Sequence, residues 1–157
     1  MNCKKCDLHK TRHNIIIGRG ETPATLLFIG DAPSTSDDLI GNCFVGPVGK
    51  FLEEMRNAAG IYSIPSYFTN AVFCKAGGDP TREQILACSQ NVYKNIRENV
   101  CPEAVILMGD IAKSIFRNAF AKVCCIPHPA ILLKHGGKNS MGYSESIIKL
   151  QAMRKYL

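Results

Sequence analysis

Cys3 and Cys6 stand in a C-x-x-C pair at the start of the chain, and Cys74 and Cys88 form a second, wider pair in its middle. Four cysteine thiolates can hold a zinc ion or an iron–sulfur cluster. The wide second spacing is not that of a zinc ribbon. Buried or incidental thiols are the alternative. The metal reading has a physical benefit, because ligation would pin a short N-terminal segment to the middle of the chain. Cys43, Cys101, Cys124 and Cys125 are read as buried or incidental, the last two falling inside an apolar run.

Four other groups of residues carry potential chemistry. Gly30-Asp31-Ala32-Pro33-Ser34 is followed by Asp37 and Asp38. That stretch is either a solvated turn with a capping aspartate or a source of acid–base work and water positioning. In Gly41 to Lys50, three glycines and Pro47 let backbone approach a ligand closely, and Phe44 is either a core residue or a stacking platform. Asn70 follows a run of strand formers. Its carboxamide, with one donor group and one acceptor, either caps a turn or reads the edge of a base. His128 lies between Pro127 and Pro129, which restrict its backbone. The segment after it, Ala130-Ile131-Leu132-Leu133-Lys134, sets apolar tips beside positive charge, which suits insertion into a DNA groove or the start of a helix.

Something must position these groups. Apolar runs over 25–30, 67–73, 104–109 and 122–126 read as buried strands, the first and third ending on glycine. Between them the spacing predicts helices from Val48 to Ala59, from a Thr81 cap to about Asn99, from Asp110 to Phe120 and from Ser144 to Tyr156. Alternation of strand and helix implies an α/β fold, a three-layer α/β/α sandwich around a central, mainly parallel four-stranded sheet. Residues 1–157 form one domain in this reading, with no repeat or linker. In such sheets ligands bind beyond the carboxyl ends of the strands, where 30–34, Asn70, 109–110 and 127–129 fall.

Composition narrows the classes. Hydrophobic residues make up 46% and charged residues 20%, a globular balance that argues against disorder. The net charge of +6 suits a polyanion partner. No run is long and apolar enough to span a membrane, and the N-terminus lacks the apolar core of a signal peptide. A cytoplasmic location follows as an expectation, and there eight cysteines fit metal ligation better than disulfides.

In this order the motifs resemble family 4 of the uracil-DNA glycosylase superfamily, the iron–sulfur uracil-DNA glycosylases. The resemblance rests on Cys3-x-x-Cys6, Gly30-Asp31-Ala32-Pro33-Ser34 with Asp37-Asp38, and Cys43-Phe44-Val45-Gly46-Pro47-Val48-Gly49. It continues with Thr69-Asn70, Cys74 with Cys88, and His128-Pro129-Ala130, and so covers nearly the whole chain. It implies a [4Fe–4S] cluster on Cys3, Cys6, Cys74 and Cys88. It implies uracil held among Gly30, Ala32, Pro33 and Ser34, stacked on Phe44 and read by Asn70. Asp31, Asp37 and His128 would be catalytic, and Ala130, Ile131, Leu132, Leu133 and Lys134 would form a groove-probing loop on DNA. The implied partner is uracil-containing DNA, met by a monomer. Departures from the family pattern are Asp31 in place of glutamate, Ser34 in place of glycine, Ala130 in place of serine, Asp37 where glutamate is frequent, and a shortened loop after Cys74. They leave open a preference for hypoxanthine or xanthine. A non-catalytic iron–sulfur DNA-binding module is the other alternative, although a pure binder needs none of Phe44, Asn70 and His128.

Overall fold

The structure, a computed structural model, describes residues 1–157. Eleven regular elements follow in the order β1 (Arg19–Gly20), β2 (Leu26–Gly30), α1 (Thr35–Ile40), α2 (Pro47–Ala58), β3 (Ser66–Asn70), α3 (Arg82–Asn95), β4 (Ala104–Met108), α4 (Asp110–Phe116), β5 (Val123–Ile126), α5 (Pro129–Lys134) and α6 (Met141–Met153). The strands form one sheet in the order β1-β3-β2-β4-β5. β2, β3, β4 and β5 run parallel, and β1 pairs antiparallel with β3.

The α/β/α sandwich is as expected, but the sheet has five strands, not four. β1 escapes sequence reading because two residues, one of them glycine, display no alternation and no apolar run. In the central strands β2 and β4 every residue is buried. Leu26 and Phe28 with Ile106 and Met108 face the layer of α2, α5 and α6, which contributes Phe51, Leu52, Met55, Leu132 and Leu150. Leu27 and Ile29 with Val105 and Leu107 face the layer of α3 and α4, which contributes Val92 and Phe116. The period-2 split of an all-apolar run explains why these strands tolerate no polar residue. Each such side chain contributes roughly 1.5–3 kcal/mol by leaving water.

Helix starts follow local chemistry. Thr81 caps α3 in a reciprocal box with Gln84, and Pro47 stands in the first turn of α2, where its missing N–H costs nothing. The strand expected over 67–73 ends at Asn70, the helix expected to reach Phe120 ends at Phe116, and two further helices depart more from the sequence expectation. α1 was expected as a turn, and its only buried residues are Asp37 and Asp38 while Leu39 and Ile40 lie exposed. With no apolar stripe it carries no helical periodicity; its signature is the Ser34–Asp37 capping box. The segment expected as a groove-probing loop is instead α5, started by Pro129 and capped by the His128 side chain. No helix is long and apolar enough to cross a membrane.

Candidate active site

β2, β3 and β5 bring three of the expected residues together at their carboxyl ends. Gly30 closes β2 and pairs in register with Asn70, which closes β3. His128 follows β5 by two residues. A Cβ built on Gly30 would lie 2.6 Å from Asn70 Oδ1, 2.8 Å from Phe44 Cζ and 3.3 Å from His128 Nε2. Gly30 therefore marks the point where those three side chains converge, at the base of a slot between Phe44 and His128, and any larger residue there would overlap them. The Phe44 and His128 rings face each other with centroids 6.4 Å apart and planes 29° apart. The adjoining cleft, about 260 Å³, is lined by Ala32, Ser34, Asp37, Phe44, His128, Ala130 and the first turn of α2. Pro33 is buried and is not among the lining residues.

Asn70 is the most telling member. It is 1% exposed, and neither Nδ2 nor Oδ1 has a hydrogen-bond partner. An unmet buried amide costs roughly 1–3 kcal/mol per group, so the fold retains it against stability. What it offers is an adjacent donor and acceptor, both free, at the point where Gly30, Phe44 and His128 converge.

Phe44 is held in place by strain and staples. Its φ is 51°, in the left-handed region that non-glycine residues rarely occupy. A side chain on Gly49 would overlap the Phe44 carbonyl, so α2 closes onto Phe44 only because Gly49 lacks one. Asp37, 4% exposed, accepts hydrogen bonds from Ser34 N–H through Oδ2 and from Val45 N–H through Oδ1, both at 3.0 Å. Its carboxylate thus clips the 30–34 loop to the Phe44 loop and forms part of the cleft wall.

His128 has a defined protonation state. Ala130 N–H donates to its Nδ1 at 3.1 Å, so Nδ1 carries the lone pair and the ring proton sits on Nε2, toward the slot. Burial pushes its pKa down to about 4, a fall that the negative charge of Asp37 only partly opposes. The imidazole is therefore neutral near pH 7 and presents a donor.

The other expected carboxylates lie outside this slot. Asp31 accepts from Ala112 N–H at 2.9 Å, at the start of α4, and lines a neighbouring cavity of about 460 Å³ with Asp79, Asp110 and His128. Burial raises its pKa, the Ala112 amide offsets part of that, and Asp110 and Asp79 add to it. Asp38 is used elsewhere: it accepts from the His13 and Asn14 amides and pairs with the His13 ring at 2.9 Å. Burial alone would raise its pKa, but those contacts together hold it low. On α5, Leu132 is 3% exposed and belongs to the core, which corrects its placement among groove-contacting residues. Ile131, Leu133 and Lys134 are exposed and Ala130 half-buried.

Cys3, Cys6, Cys74 and Cys88 line one cleft together with Lys5 and Arg12, and all four are free thiols. Three of the sulfurs face nitrogen donors: Phe73 N–H to Cys88 at 3.3 Å, Arg12 to Cys74 at 3.7 Å and Asn91 to Cys3 at 3.7 Å. Burial pushes the Cys88 thiol up to about 11 and also raises Cys74, with Arg12 opposing the rise at Cys74. Such thiols stay protonated unless a cation enters. No three His, Cys, Asp or Glu side chains converge on a point suited to a single ion. Four cysteines lining one cleft are the donor set that an iron–sulfur cluster takes, one sulfur to each iron. Sequence reasoning missed Arg12, Asn91, the packing of Gly49 on the Phe44 carbonyl and the stapling role of Asp37. Gly49 had a signal in its glycine-rich stretch and Asp37 in its spacing from Ser34.

The chain is similar to several known proteins. The Type-4 uracil-DNA glycosylase of Archaeoglobus fulgidus is 36% identical over 122 residues, 76% of this chain and 61% of that protein. That of Saccharolobus solfataricus is 37% identical over 110 residues, 68% of this chain and 50% of its own length. That of Thermotoga maritima is 32% identical over 116 residues, 73% and 60% respectively. The chain thus spans between half and about three-fifths of these relatives. A family model described as the uracil DNA glycosylase superfamily matches residues 17–151, from just before β1 well into α6 and through every wall of the slot. On that match the chain belongs to the uracil DNA glycosylase superfamily.

Proposed function

We propose that the chain excises uracil from DNA, hydrolysing the N-glycosidic bond of deoxyuridine and leaving an abasic site. The observation that carries this reading is the buried, unpartnered carboxamide of Asn70 beside Phe44 and His128. Uracil presents an acceptor at O4 and a donor at N3–H, which a single carboxamide meets with both of its groups. Cytosine presents the reverse pattern. The base must be flipped from the duplex to reach such a slot, and Phe44 then offers its ring face for stacking.

Bond cleavage passes through an oxocarbenium-like sugar while the base departs as an anion. Neutral His128 donates from Nε2–H to the oxygen on which that charge grows, and burial strengthens the interaction. The carboxylates of Asp37 and Asp31 stabilise the cationic sugar by their negative charge, and one of them orients the attacking water. Asp37 has already spent one lone pair of each oxygen on backbone amides, which fixes its position. Gly30, Ala32, Pro33 and Ser34 supply close backbone around the base. Ile131, Leu133 and Lys134 form the face that meets DNA, and the net charge of +6 supports a polyanionic substrate.

A [4Fe–4S] cluster held by Cys3, Cys6, Cys74 and Cys88 belongs to the same reading. When bound it supplies a covalent tie between the N-terminal segment and α3, not chemistry at the base. Residues 1–157 act as one domain and as a monomer in the cytoplasm.

The test uses oligonucleotides carrying uracil, hypoxanthine or xanthine, incubated with the protein and then cleaved by alkali. Cleavage at uracil well above the other two is the expected result. Cleavage at hypoxanthine or xanthine alone would transfer the activity to another base, and no cleavage at any would leave a DNA-binding module.

A further inference from the structure

A groove of about 510 Å³ runs along the outer side of the sheet, with β5 and the α6 residues Ala152 and Met153 as its floor and Phe120 at one end. β5 is the last strand of the sheet. Val105 N–H donates to the Lys122 carbonyl and Gly109 N–H to the Ile126 carbonyl, with Val105 in register with Val123. In a parallel ladder alternate residues bond the same neighbour. Lys122, Cys124 and Ile126 therefore face β4, while Val123 and Cys125 turn their N–H and C=O groups outward. No group of the chain outside the ladder bonds to them. Bare edges of this kind are ordinarily covered or blunted.

The surroundings select an occupant. Arg117, Lys149 and Lys155 line the groove, Lys122 adjoins it, and no aspartate or glutamate is among the lining residues. Lys149 is the one cation there in an ion pair, with exposed Glu145 at 2.7 Å, while Lys122 donates to the Tyr156 carbonyl at 3.5 Å and Lys122 and Lys155 lie over the Tyr156 ring, so neither has a carboxylate partner. We propose that this edge binds an extended acidic peptide segment of a partner protein. The segment adds as a further strand on Val123 and Cys125, seats apolar side chains over Phe120 and Met153, and sets carboxylates against Arg117, Lys122 and Lys155. A second copy of the chain would bring the same cations and be repelled. A nucleic-acid strand would suit the cations but would set phosphates against the outward carbonyls. The inference stands on the edge geometry and charge and does not rest on the proposed glycosylase activity.

The experiment titrates the isotope-labelled full chain with a short peptide of alternating isoleucine and aspartate, beside a control with lysine for aspartate. The expected result is amide shifts at Val123 and Cys125 with the acidic peptide alone. Affinity should fall about tenfold or more in an R117E/K155E double variant, which reverses two rim charges on a surface where fold is not at stake. Val123→Pro removes one outward N–H at the first residue of the strand, where proline is tolerated, and should also weaken binding. Equal binding of the lysine peptide, or unchanged affinity in the double variant, overturns the proposal. So does stronger shifting of the same amides by an oligothymidine, or dimer formation through β5 seen by sedimentation.

Discussion

The slot at the strand ends and the cysteine cleft are both built to hold something, yet they are supported differently. Phe44, Asn70 and His128 are fixed from behind by strand ends, by Asp37 clipping two loops, by Gly49 packing on the Phe44 backbone and by Ala130 N–H on His128. The cleft instead gathers Cys74 and Cys88 from the body of the protein against Cys3 and Cys6 from a segment whose only regular structure before β1 is a single 3-10 turn, Asp7–Lys10. A site walled by the sheet keeps its shape when empty, whereas one completed by a short N-terminal segment gets its rigidity from whatever it binds. Perturbing the slot should therefore damage chemistry at constant fold, and perturbing the cleft should damage stability at nearly constant chemistry.

The largest effect is expected at the floor of the slot. Gly30→Val would place atoms within contact of Asn70, Phe44 and His128, so excision should fall below detection while far-UV circular dichroism stays unchanged. A folded variant that still excises uracil would mean the base binds elsewhere. Next, His128→Ala should slow single-turnover excision by roughly 10²–10³-fold and change DNA affinity little, because the donor acts on charge present only as the base leaves. Equal losses in rate and affinity would reassign His128 to binding. The wild-type rate should carry no step from His128 between pH 8 and 5. With its pKa lowered from 6.5 to about 4, the unfolded chain binds a proton in that interval that the folded chain refuses. Its contribution to stability is thus full above pH 6.5 and is lost as pH falls toward 4. Gly49→Ala crosses the comparison, since it forces Phe44 and α2 apart and should cost about 3 kcal/mol. Smallest in chemistry is Cys88→Ser, which should lower Tm by roughly 5 °C, for about 2 kcal/mol lost, and remove any iron-dependent absorption. Per molecule that remains folded, excision should be nearly unchanged; a large loss of rate at constant Tm would contradict the division between the two regions.

The sequence made the four parallel strands legible because short continuous apolar runs, two of them ending on glycine, have few other uses. Asn70 was legible as the one amide among the strand formers of 67–73, Phe44 by its place in a glycine-rich loop and His128 by its place just past the last run. What hid the rest was the inversion of ordinary patterns. α1 buries aspartates and exposes Leu39 and Ile40, so no period of 3.6 marks it. α5 is so short that Ile131 and Leu133 on its exposed side read with Leu132 as one apolar tip, although Leu132 packs in the core. The carboxylates could not be ranked from sequence, since Asp31, Asp37 and Asp38 differ in which backbone amides and charged side chains reach them, a property of the folded chain.

The central claim is that an otherwise unsatisfied Asn70 carboxamide reads uracil, and Asn70→Asp tests it most directly. The measurement is single-turnover excision from matched oligonucleotides carrying uracil or cytosine at one position. Replacing the amide donor by a second acceptor removes the partner of uracil O4 and offers one to the cytosine amino group. Uracil excision should fall by about 10²-fold or more, and the preference for uracil over cytosine should narrow, for a loss of one buried hydrogen bond left opposed by an acceptor. Unchanged uracil excision with unchanged discrimination would contradict the account, because base recognition would then lie outside the slot formed by Gly30, Phe44, Asn70 and His128.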